Sequence, residues 1–165
     1  MVQNVPPLSG RRLHARGTAA VQIRRARHTD AHDISALINA YVADGTLLPR
    51  DESFIIAHAD HFLVAEKGAR VIGCVHLDEY APSISELRSL AVASSAQGCG
   101  VGRALVQATE ALARQRGCAT LFAVSNDEAY FNRFGFAQRH IPELDRERSE
   151  VSRYKGVFAK DLAVV

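Results

Sequence analysis

Residues 97–102 read Gln-Gly-Cys-Gly-Val-Gly. They follow an apolar run at 85–92, Ser-Glu-Leu-Arg-Ser-Leu-Ala-Val, and precede a segment with apolar residues at helical spacing. Glycines let the backbone approach a ligand without an intervening Cβ, and the start of a helix presents unpaired N–H groups and a positive dipole end. The stretch therefore predicts a strand–turn–helix unit whose turn is either an anion site or a plain tight turn.

The spacing of these glycines excludes two common nucleotide-binding motifs. A P-loop requires G-x-x-x-x-G-K-[ST], and a dinucleotide fingerprint requires G-x-G-x-x-G with an acid about 20 residues further on. Gly98, Gly100 and Gly102 give neither pattern. Arg103 directly after them can add positive charge at the rim of an anion site.

Working outward from the turn, strand and helix patterns alternate on its C-terminal side and cluster on its N-terminal side. Thr29 or Asp30 is placed to cap the first helix with its side chain, and Asp44-Gly45 to end it. The predicted order is β-α-α-β-β-β-α-β-α-β, with room for one further strand after Gly135. This order indicates an α/β protein with a mixed sheet and helices on both faces. The predicted strands cover 21–25, 61–66, 70–78, 85–92, 120–124 and 157–164, and the helices after the first cover 52–58, a segment ending at 116–117, and 128–134.

Length and charge favour a single domain over 21–165 behind a basic tail at 1–20. The chain has 165 residues and a net charge of +2, which does not predict nucleic-acid binding. No apolar run approaches the roughly 18 residues that span a bilayer, so no membrane association is expected. Residues 1–29 contain arginines and no acidic residue. They are interpreted as a disordered, solvated tail, with an Arg-rich transit peptide as the alternative.

Cysteine and histidine spacing predicts no metal site. The three cysteines, Cys74, Cys99 and Cys118, form no pair with metal or redox spacing, and indicate free thiols in a reducing, cytoplasmic compartment. Histidines recur at helical spacing at 28 and 32 and at 58 and 61. Without a cysteine or carboxylate cluster to complete a site, they are interpreted as solvated helix residues.

The glycine turn resembles the Q/R-x-x-G-x-G/A signature of the GNAT superfamily of N-acetyltransferases. The preceding Leu90-Ala91-Val92 is similar to the superfamily's fourth strand, and residues 132–136 resemble its late R-x-G-F-like element. The resemblance implies a mostly antiparallel sheet and acetyl-CoA as co-substrate. It places the CoA pyrophosphate on the turn and the pantetheine arm along the fourth strand. The implied cofactor-binding residues are Leu90, Ala91, Val92, Gln97, Gly98, Cys99, Gly100, Val101, Gly102, Arg103 and Phe131.

A narrower resemblance is to the acetyltransferase domain of bacterial N-acetylglutamate synthase. It rests on 45–50, 71–77, 85–92, 121–125 and 153–162. It implies a short, stand-alone form that acetylates L-glutamate in arginine biosynthesis. Lys155 departs from the synthase pattern, which has a serine there, and so leaves room for a different acidic amine. The implied substrate-binding residues are Arg50 and Arg153 for the two carboxylates, the main chain of Leu48 and Ser89, and Arg88 and Lys155.

The chemistry requires a base, because an α-amine is mostly protonated at neutral pH. Glu86 matches the family's proposed base, and an amine needs that base most at low pH. The thiolate leaving group calls for an acid, but the tyrosine that many superfamily members use is Phe131 here. Ser125 is the first candidate acid and Tyr130 the second, although Tyr130 is one residue off and is expected to point elsewhere.

Two further functions stay open at this point. One is acetylation of another small amine or of a protein N-terminus. The other is a non-catalytic CoA-binding regulatory module, which the missing tyrosine favours and the intact glycine turn opposes. The expected partner is a small-molecule amine, with a homodimer possible and no nucleic-acid partner.

Overall fold

The computed structural model describes residues 19–144 and 155–163, and its centre is a seven-stranded sheet in the order β1-β2-β3-β4-β5-β7-β6. All neighbouring strands run antiparallel except β4 and β5, which are parallel. The strands are β1 Val21–Arg25, β2 Phe62–Lys67, β3 Arg70–Ala81, β4 Ile84–Val92, β5 Thr120–Ser125, β6 Ala137–Gln138 and β7 Gly156–Asp161. The α-helices are α1 Ala31–Asn39, α2 Glu52–Ala57, α3 Val101–Gln115 and α4 Glu128–Asn132.

Alternation along the central strands sends side chains to two apolar layers. On one face, Leu63 of β2 and Val75 and Leu77 of β3 pack with the buried stripe of α3, including Leu105 and Leu112. Burial of this apolar layer stabilises the packing of α3 on the sheet, at roughly 25 cal/mol per Å² of buried apolar area. The helix therefore lies fixed across the sheet, with its N-terminus at the end of β4.

The opposite face is covered by α1 and α2. Ile34 and Ile38 of α1 and Ile55 of α2 are fully buried against Phe62 and Val64 of β2. A third apolar cluster, around Phe122 of β5, is closed by a short 3-10 turn at Pro142–Leu144. The loop between α1 and α2, residues 40–51 (the α1–α2 loop), is thereby held over the same face as the ends of β3 and β4.

The predicted order of elements and the mixed sheet are confirmed, including the extra strand β6. The predicted hairpin is also present, because β2 and β3 are joined by Gly68 and Ala69. Both residues have positive φ, at 54° and 63°, which is the pattern of a two-residue type I′ turn.

The first helix differs from its prediction at both ends. Asp30 occupies the N-cap position of α1 but makes no side-chain capping bond there. Its carboxylate instead accepts hydrogen bonds from the Arg24 guanidinium and from the Arg27 N–H at 2.7 Å. The helix ends at Asn39, and turns cover the residues up to Gly45.

Within residues 19–144 and 155–163, no helix is long and apolar enough to cross a bilayer. The basic tail predicted at 1–20 lies almost wholly outside the described residues, which begin at residue 19.

Candidate active site

A cleft of about 1000 Å³ opens between β4 and β5. The two strands pair only at their beginnings, Ile84–Glu86 with Thr120–Phe122. Beyond this point the remainders of both strands line the cleft. The main chain of β4 is therefore exposed on one side to anything that enters, as the edge of a sheet is to an added strand.

One end of the cleft is the glycine turn. Gly98 and Gly100 have φ values of 76° and 84°, and a Cβ built on either would meet no atom within 4 Å. Positive φ and open space above the turn fit glycine and an approaching ligand. Val101 is buried and starts α3, so the free N–H groups of the first helical turn lie at this end of the cleft.

The residues predicted for the donor site mostly line the cleft. Phe131 is buried, and the Arg103 guanidinium lies over the Phe134 ring at 5.3 Å. Cys99 is exposed and is absent from the lining residues. The predicted donor residues in the lining are Leu90, Ala91, Val92, Gln97, Gly98, Gly100, Val101, Gly102, Arg103 and Phe131.

The Gln97 side chain is held by hydrogen bonds to other protein groups. Its amide donates to the Tyr41 hydroxyl at 2.8 Å and to the Val92 carbonyl at 3.2 Å, and Tyr41 itself donates to the same carbonyl. This contact ties the α1–α2 loop to the glycine turn. The sequence gives no sign of this contact, because Tyr41 only continues the helical apolar spacing of Ile34 and Ile38.

A bulge in β4 separates the two ends of the cleft. Ser89 has a φ of 52°, and the pairing with β3 shifts between Cys74–Ala91 and His76–Arg88. Leu87 before the bulge and Leu90 after it therefore face the same α3 layer, although they are three residues apart. The Ser89 carbonyl accepts from the Cys74 thiol at 3.5 Å.

The other end of the cleft contains Arg50, in the α1–α2 loop. Its guanidinium lies over the Phe54 ring at 4.8 Å, and one terminal nitrogen donates to the Pro49 carbonyl at 3.1 Å. Its Nε is buried and has no hydrogen-bond partner among the described residues. Desolvation, followed by the charge of Arg88, lowers the pKa of Arg50. Such a partly desolvated donor group favours a carboxylate ligand.

Glu86 lies beside Arg50 at this end, with its side chain 13% exposed. Burial is the largest cause that raises the pKa of its carboxyl to about 7, while Arg88 lowers it and Asp78 raises it further. A carboxylate with such a pKa can take up and release a proton near neutral pH.

Arg88, predicted to bind substrate, is shared between two protein carboxylates. Its Nη1 donates to Asp78 at 3.1 Å, and its Nε lies 3.7 Å from Glu86. Asp78 was missed in the sequence, where it had been assigned only to the end of a strand.

The two candidate acids both line the cleft. The Ser125 Oγ accepts from the Asp127 N–H at 3.0 Å, which leaves its own proton for donation. Tyr130 lines the cleft, and its hydroxyl lies against Gly102 of the glycine turn, where an added Cβ would collide with it. Burial raises the pKa of Tyr130, so its hydroxyl keeps its proton.

The remaining predicted substrate residues, Leu48, Lys155 and Arg153, differ in their positions. Leu48 is exposed at the cleft, and Lys155 donates to the carbonyls of Gly45 and Thr46 at 3.0 and 3.1 Å, which fastens the α1–α2 loop. Arg153 lies outside the described residues.

The prediction of solvated helix histidines holds for His28 and His32, which are exposed, but not for His58 and His61. His58 and His61 are half-buried around the buried His76, with ring centroids 6.0 to 6.5 Å apart. His32 is exposed and pairs with Glu52 at 2.7 Å. Over the described part of the chain, no group of three histidine, cysteine or acidic side chains is arranged to hold a metal ion.

Comparison with known proteins finds relatives that are named as acetyltransferases. An uncharacterized N-acetyltransferase of Chlorobaculum tepidum is 34% identical over 116 residues, which is 70% of this chain and 75% of the relative. An amino-acid acetyltransferase of Ralstonia nicotianae is 31% identical over 135 residues, which is 81% of this chain and 30% of the relative.

Among solved structures, the N-acetylglutamate synthase of Neisseria gonorrhoeae, complexed with coenzyme A and N-acetyl-glutamate, superposes with a TM-score of 0.77. It is 28% identical, and the match covers 89% of this chain and 36% of the synthase. The chain thus spans about a third of the length of the Ralstonia relative and of the synthase. The sequence model of the acetyltransferase (GNAT) family matches residues 24–136. With this match, the splayed strands and the glycine turn before α3 have their explanation: the chain belongs to the GNAT acetyltransferase family.

Proposed function

We propose that this acetyl-CoA-dependent N-acetyltransferase acetylates the α-amine of an amino acid, and that L-glutamate is its acceptor. The relatives named amino-acid acetyltransferase and the synthase complexed with N-acetyl-glutamate support this choice. The observation that carries it is Arg50, a cation in the cleft whose buried Nε has no hydrogen-bond partner within residues 19–144 and 155–163.

Arg50 suits one carboxylate of a dicarboxylic amino acid. A guanidinium binds a carboxylate through two parallel hydrogen bonds, and Pro49 occupies only one of its terminal nitrogens. The Phe54 ring beneath it fixes the plane of the fork. By resemblance we assign the second carboxylate to Arg153, with the main chain of Leu48 and Ser89 completing the site.

The donor end fits acetyl-CoA. The turn from Gly98 to Arg103 offers unpaired N–H groups, a helix dipole and a nearby guanidinium to a pyrophosphate. The exposed edge of β4 offers main-chain groups to the amides of the pantetheine arm. Acetyl-CoA supplies the thioester, whose carbonyl would then lie between the two ends.

Glu86 acts as the base in this proposal. It takes one proton from the acceptor's ammonium, directly or through water, and the freed nitrogen lone pair forms the bond to the thioester carbonyl carbon. The carbon–sulfur bond breaks, and its electron pair leaves with the CoA sulfur. The nitrogen then loses its second proton, either to the sulfur through Ser125 or Tyr130 or to solvent while the sulfur departs as thiolate, and Glu86 returns its own proton to solvent.

The wider setting is proposed on the same basis. A glutamate acetyltransferase would serve arginine biosynthesis in the cytoplasm. We assign residues 21–165 to one catalytic domain and residues 1–20 to a tail outside it. A small acidic amine is the expected partner.

The first experiment is a thiol-release assay with acetyl-CoA and a panel of amino acids, small amines and peptide N-termini. L-Glutamate should give the highest kcat/KM. Arg50→Ala should raise the KM for glutamate by on the order of a hundredfold, since one charge-assisted contact is worth a few kcal/mol. The dissociation constant for acetyl-CoA should not change.

Arg139→Ala is the matched control, because Arg139 pairs with Asp161 of β7 and neither residue lines the cleft. It should leave both constants unaltered. A neutral or basic amine turned over far faster than glutamate, or an Arg50→Ala variant with normal glutamate kinetics, would refute the acceptor assignment and leave the general acetyltransferase activity standing.

A further inference from the structure

We propose that Asp78 and Arg88 together set the protonation of Glu86, with Asp78 as the positioning residue that keeps the Arg88 guanidinium from forming a close ion pair with the base. This inference rests on the proposed function, in which Glu86 receives the acceptor's proton. It reassigns Arg88 from substrate binding to tuning the base.

Strand pairing brings the two carboxylates together. Asp78 of β3 and Glu86 of β4 are direct cross-strand partners, as are His76 and Arg88 two residues along. Directly opposed side chains on an antiparallel pair have Cβ atoms about 4.5–5.5 Å apart, and like charges there repel. Arg88 is the diagonal neighbour of Asp78, so its long side chain can reach both carboxylates.

The guanidinium is shared unequally. Arg88 makes a hydrogen bond of 3.1 Å to Asp78, whereas its Nε is 3.7 Å from the Glu86 carboxylate, beyond hydrogen-bond range. Glu86 therefore feels the positive charge without the hydrogen bond that would hold it ionised. If Asp78 were neutral, the same guanidinium would be free to close on Glu86.

Among the residues that the structure describes, the charged groups that act on Glu86 come from three segments. Arg88 lies on its own strand, Asp78 on β3, and Arg50 in the α1–α2 loop. Both arginines favour the carboxylate form, while Asp78 and burial favour the acid. An acceptor carboxylate bound to Arg50 would cancel one of the two cations. Asp78 and Arg88 are then the pair that fixes the remaining balance.

The arrangement solves a specific chemical problem. A carboxylate hydrogen-bonded to a guanidinium is a very weak base, and an isolated buried one loses its proton only at high pH. Sharing one guanidinium between two carboxylates gives an intermediate basicity, which suits a group that must accept a proton and release it each turnover.

The test is the pH profile of kcat/KM for glutamate in four proteins: wild type, Asp78→Asn, Arg88→Gln and Glu86→Gln. Glu86→Gln should remove the acidic limb and so identify it. Asp78→Asn should move that limb to lower pH, and Arg88→Gln should move it to higher pH, each by about 0.5–1 unit. Asp78→Glu should restore the wild-type profile, and Asp161→Asn, at the end of β7 and outside the cleft lining, should leave it unmoved.

A second readout separates this inference from the proposed function. The carboxyl carbon of Glu86 is observed by NMR in protein carrying ¹³C-labelled glutamate, and its signal is assigned by its loss in Glu86→Gln. The same opposite shifts in Glu86 titration are expected without any substrate. If these shifts occur but Glu86→Gln keeps its acidic limb, Glu86 is not the catalytic base, but the effect of Asp78 and Arg88 on its protonation is still supported.

Three results would overturn the inference. The first is an unmoved Glu86 titration in folded Asp78→Asn and Arg88→Gln proteins. The second is a shift of both variants in the same direction. The third is an Arg88→Gln variant whose only defect is a raised glutamate KM, since Arg88 would then be holding the acceptor. Arg88→Lys serves if Arg88→Gln does not fold, and it should shift the limb less.

Discussion

At the scale of single residues, Glu86 carries a cost in stability. Burial raises the pKa of its carboxyl from 4.5 to about 7. The folded protein therefore holds a proton between about pH 4.5 and 7 that the unfolded chain has already lost. Stability falls as the pH rises through this window, and the full cost is present above about pH 7.

Glu86→Gln should thus raise the free energy of unfolding at pH 8 by about 1–3 kcal/mol, because glutamine has no proton to lose. The gain should shrink to nearly nothing at pH 4.5. Urea unfolding of both proteins at the two pH values measures it. A variant that is less stable than wild type at pH 8 would show that the Glu86 carboxylate is stabilising.

The same pKa corrects an expectation about catalysis. An amine needs a base most at low pH, so sequence reasoning predicts the largest defect of Glu86→Gln there. With a Glu86 pKa of about 7, the wild-type base is itself protonated at low pH. The ratio of wild-type to variant kcat should therefore be greatest above about pH 7 and approach one near pH 5, as stopped-time assays across that range would show.

The glycines of the turn allow a matched pair of substitutions. Gly100 and Gly117 have φ values of 84° and 76°, and neither has an atom within 4 Å of a built Cβ. Gly100→Ala and Gly117→Ala should each lose about 1 kcal/mol of stability through backbone strain alone. Only Gly100 lines the cleft, so only Gly100→Ala should weaken acetyl-CoA binding in calorimetry. Equal affinity in the two variants would remove the pyrophosphate from this turn.

Residue types near the site were foreseeable, but their bonding was not. The spacing of Gln97, Gly100 and Gly102 predicted a turn that the structure places in the lining of the cleft. The hydrogen bond from the Gln97 amide to Tyr41 joins residues 56 positions apart, so no local sequence pattern predicts it. The sharing of Arg88 between Asp78 and Glu86 likewise depends on the register of β3 against β4.

At the scale of elements, the β2–β3 hairpin contains a correctable strain. Ala69 has a φ of 63°, a conformation that costs an alanine about 1 kcal/mol relative to glycine. Ala69→Gly should therefore raise the free energy of unfolding by about 0.5–1 kcal/mol. Gly68→Ala, its neighbour at φ 54°, should lower it. Neither residue lines the cleft, so kcat and KM should stay at wild-type values.

The predicted boundaries of strands and helices are accurate where the hydrophobic periodicity is regular. β1 and the α2, α3 and β5 segments lie within a residue or two of their predicted ends, because each has an unbroken pattern and a clear stop. α1 ends earlier than predicted, since Tyr41 continues the helical spacing but is drawn to Val92 and Gln97. The bulge at Ser89 was not foreseen, although apolar residues at 87, 90 and 92 break a strict alternation in the printed sequence.

At the scale of the whole molecule, the tail can be tested separately from the catalytic unit. Removing residues 1–18 leaves β1, from Val21, and every cleft-lining residue in place. Because the tail has no apolar pattern to bury, Tm and kcat/KM should be nearly unchanged. Differential scanning fluorimetry and the thiol-release assay measure both. A drop of several degrees in Tm would show that the tail docks on the domain.

The α1–α2 loop spans the whole length of the cleft. It reaches the glycine turn through Tyr41 and the acceptor end through Arg50, and Lys155 fastens its middle. In the proposed function, donor recognition and acceptor choice are therefore expected to change together during evolution. If this segment changes to accept a new amine, the hydrogen bond between residues 41 and 97 must also be re-established. Paralogues with altered acceptors are accordingly expected to change at positions 41 and 97 together.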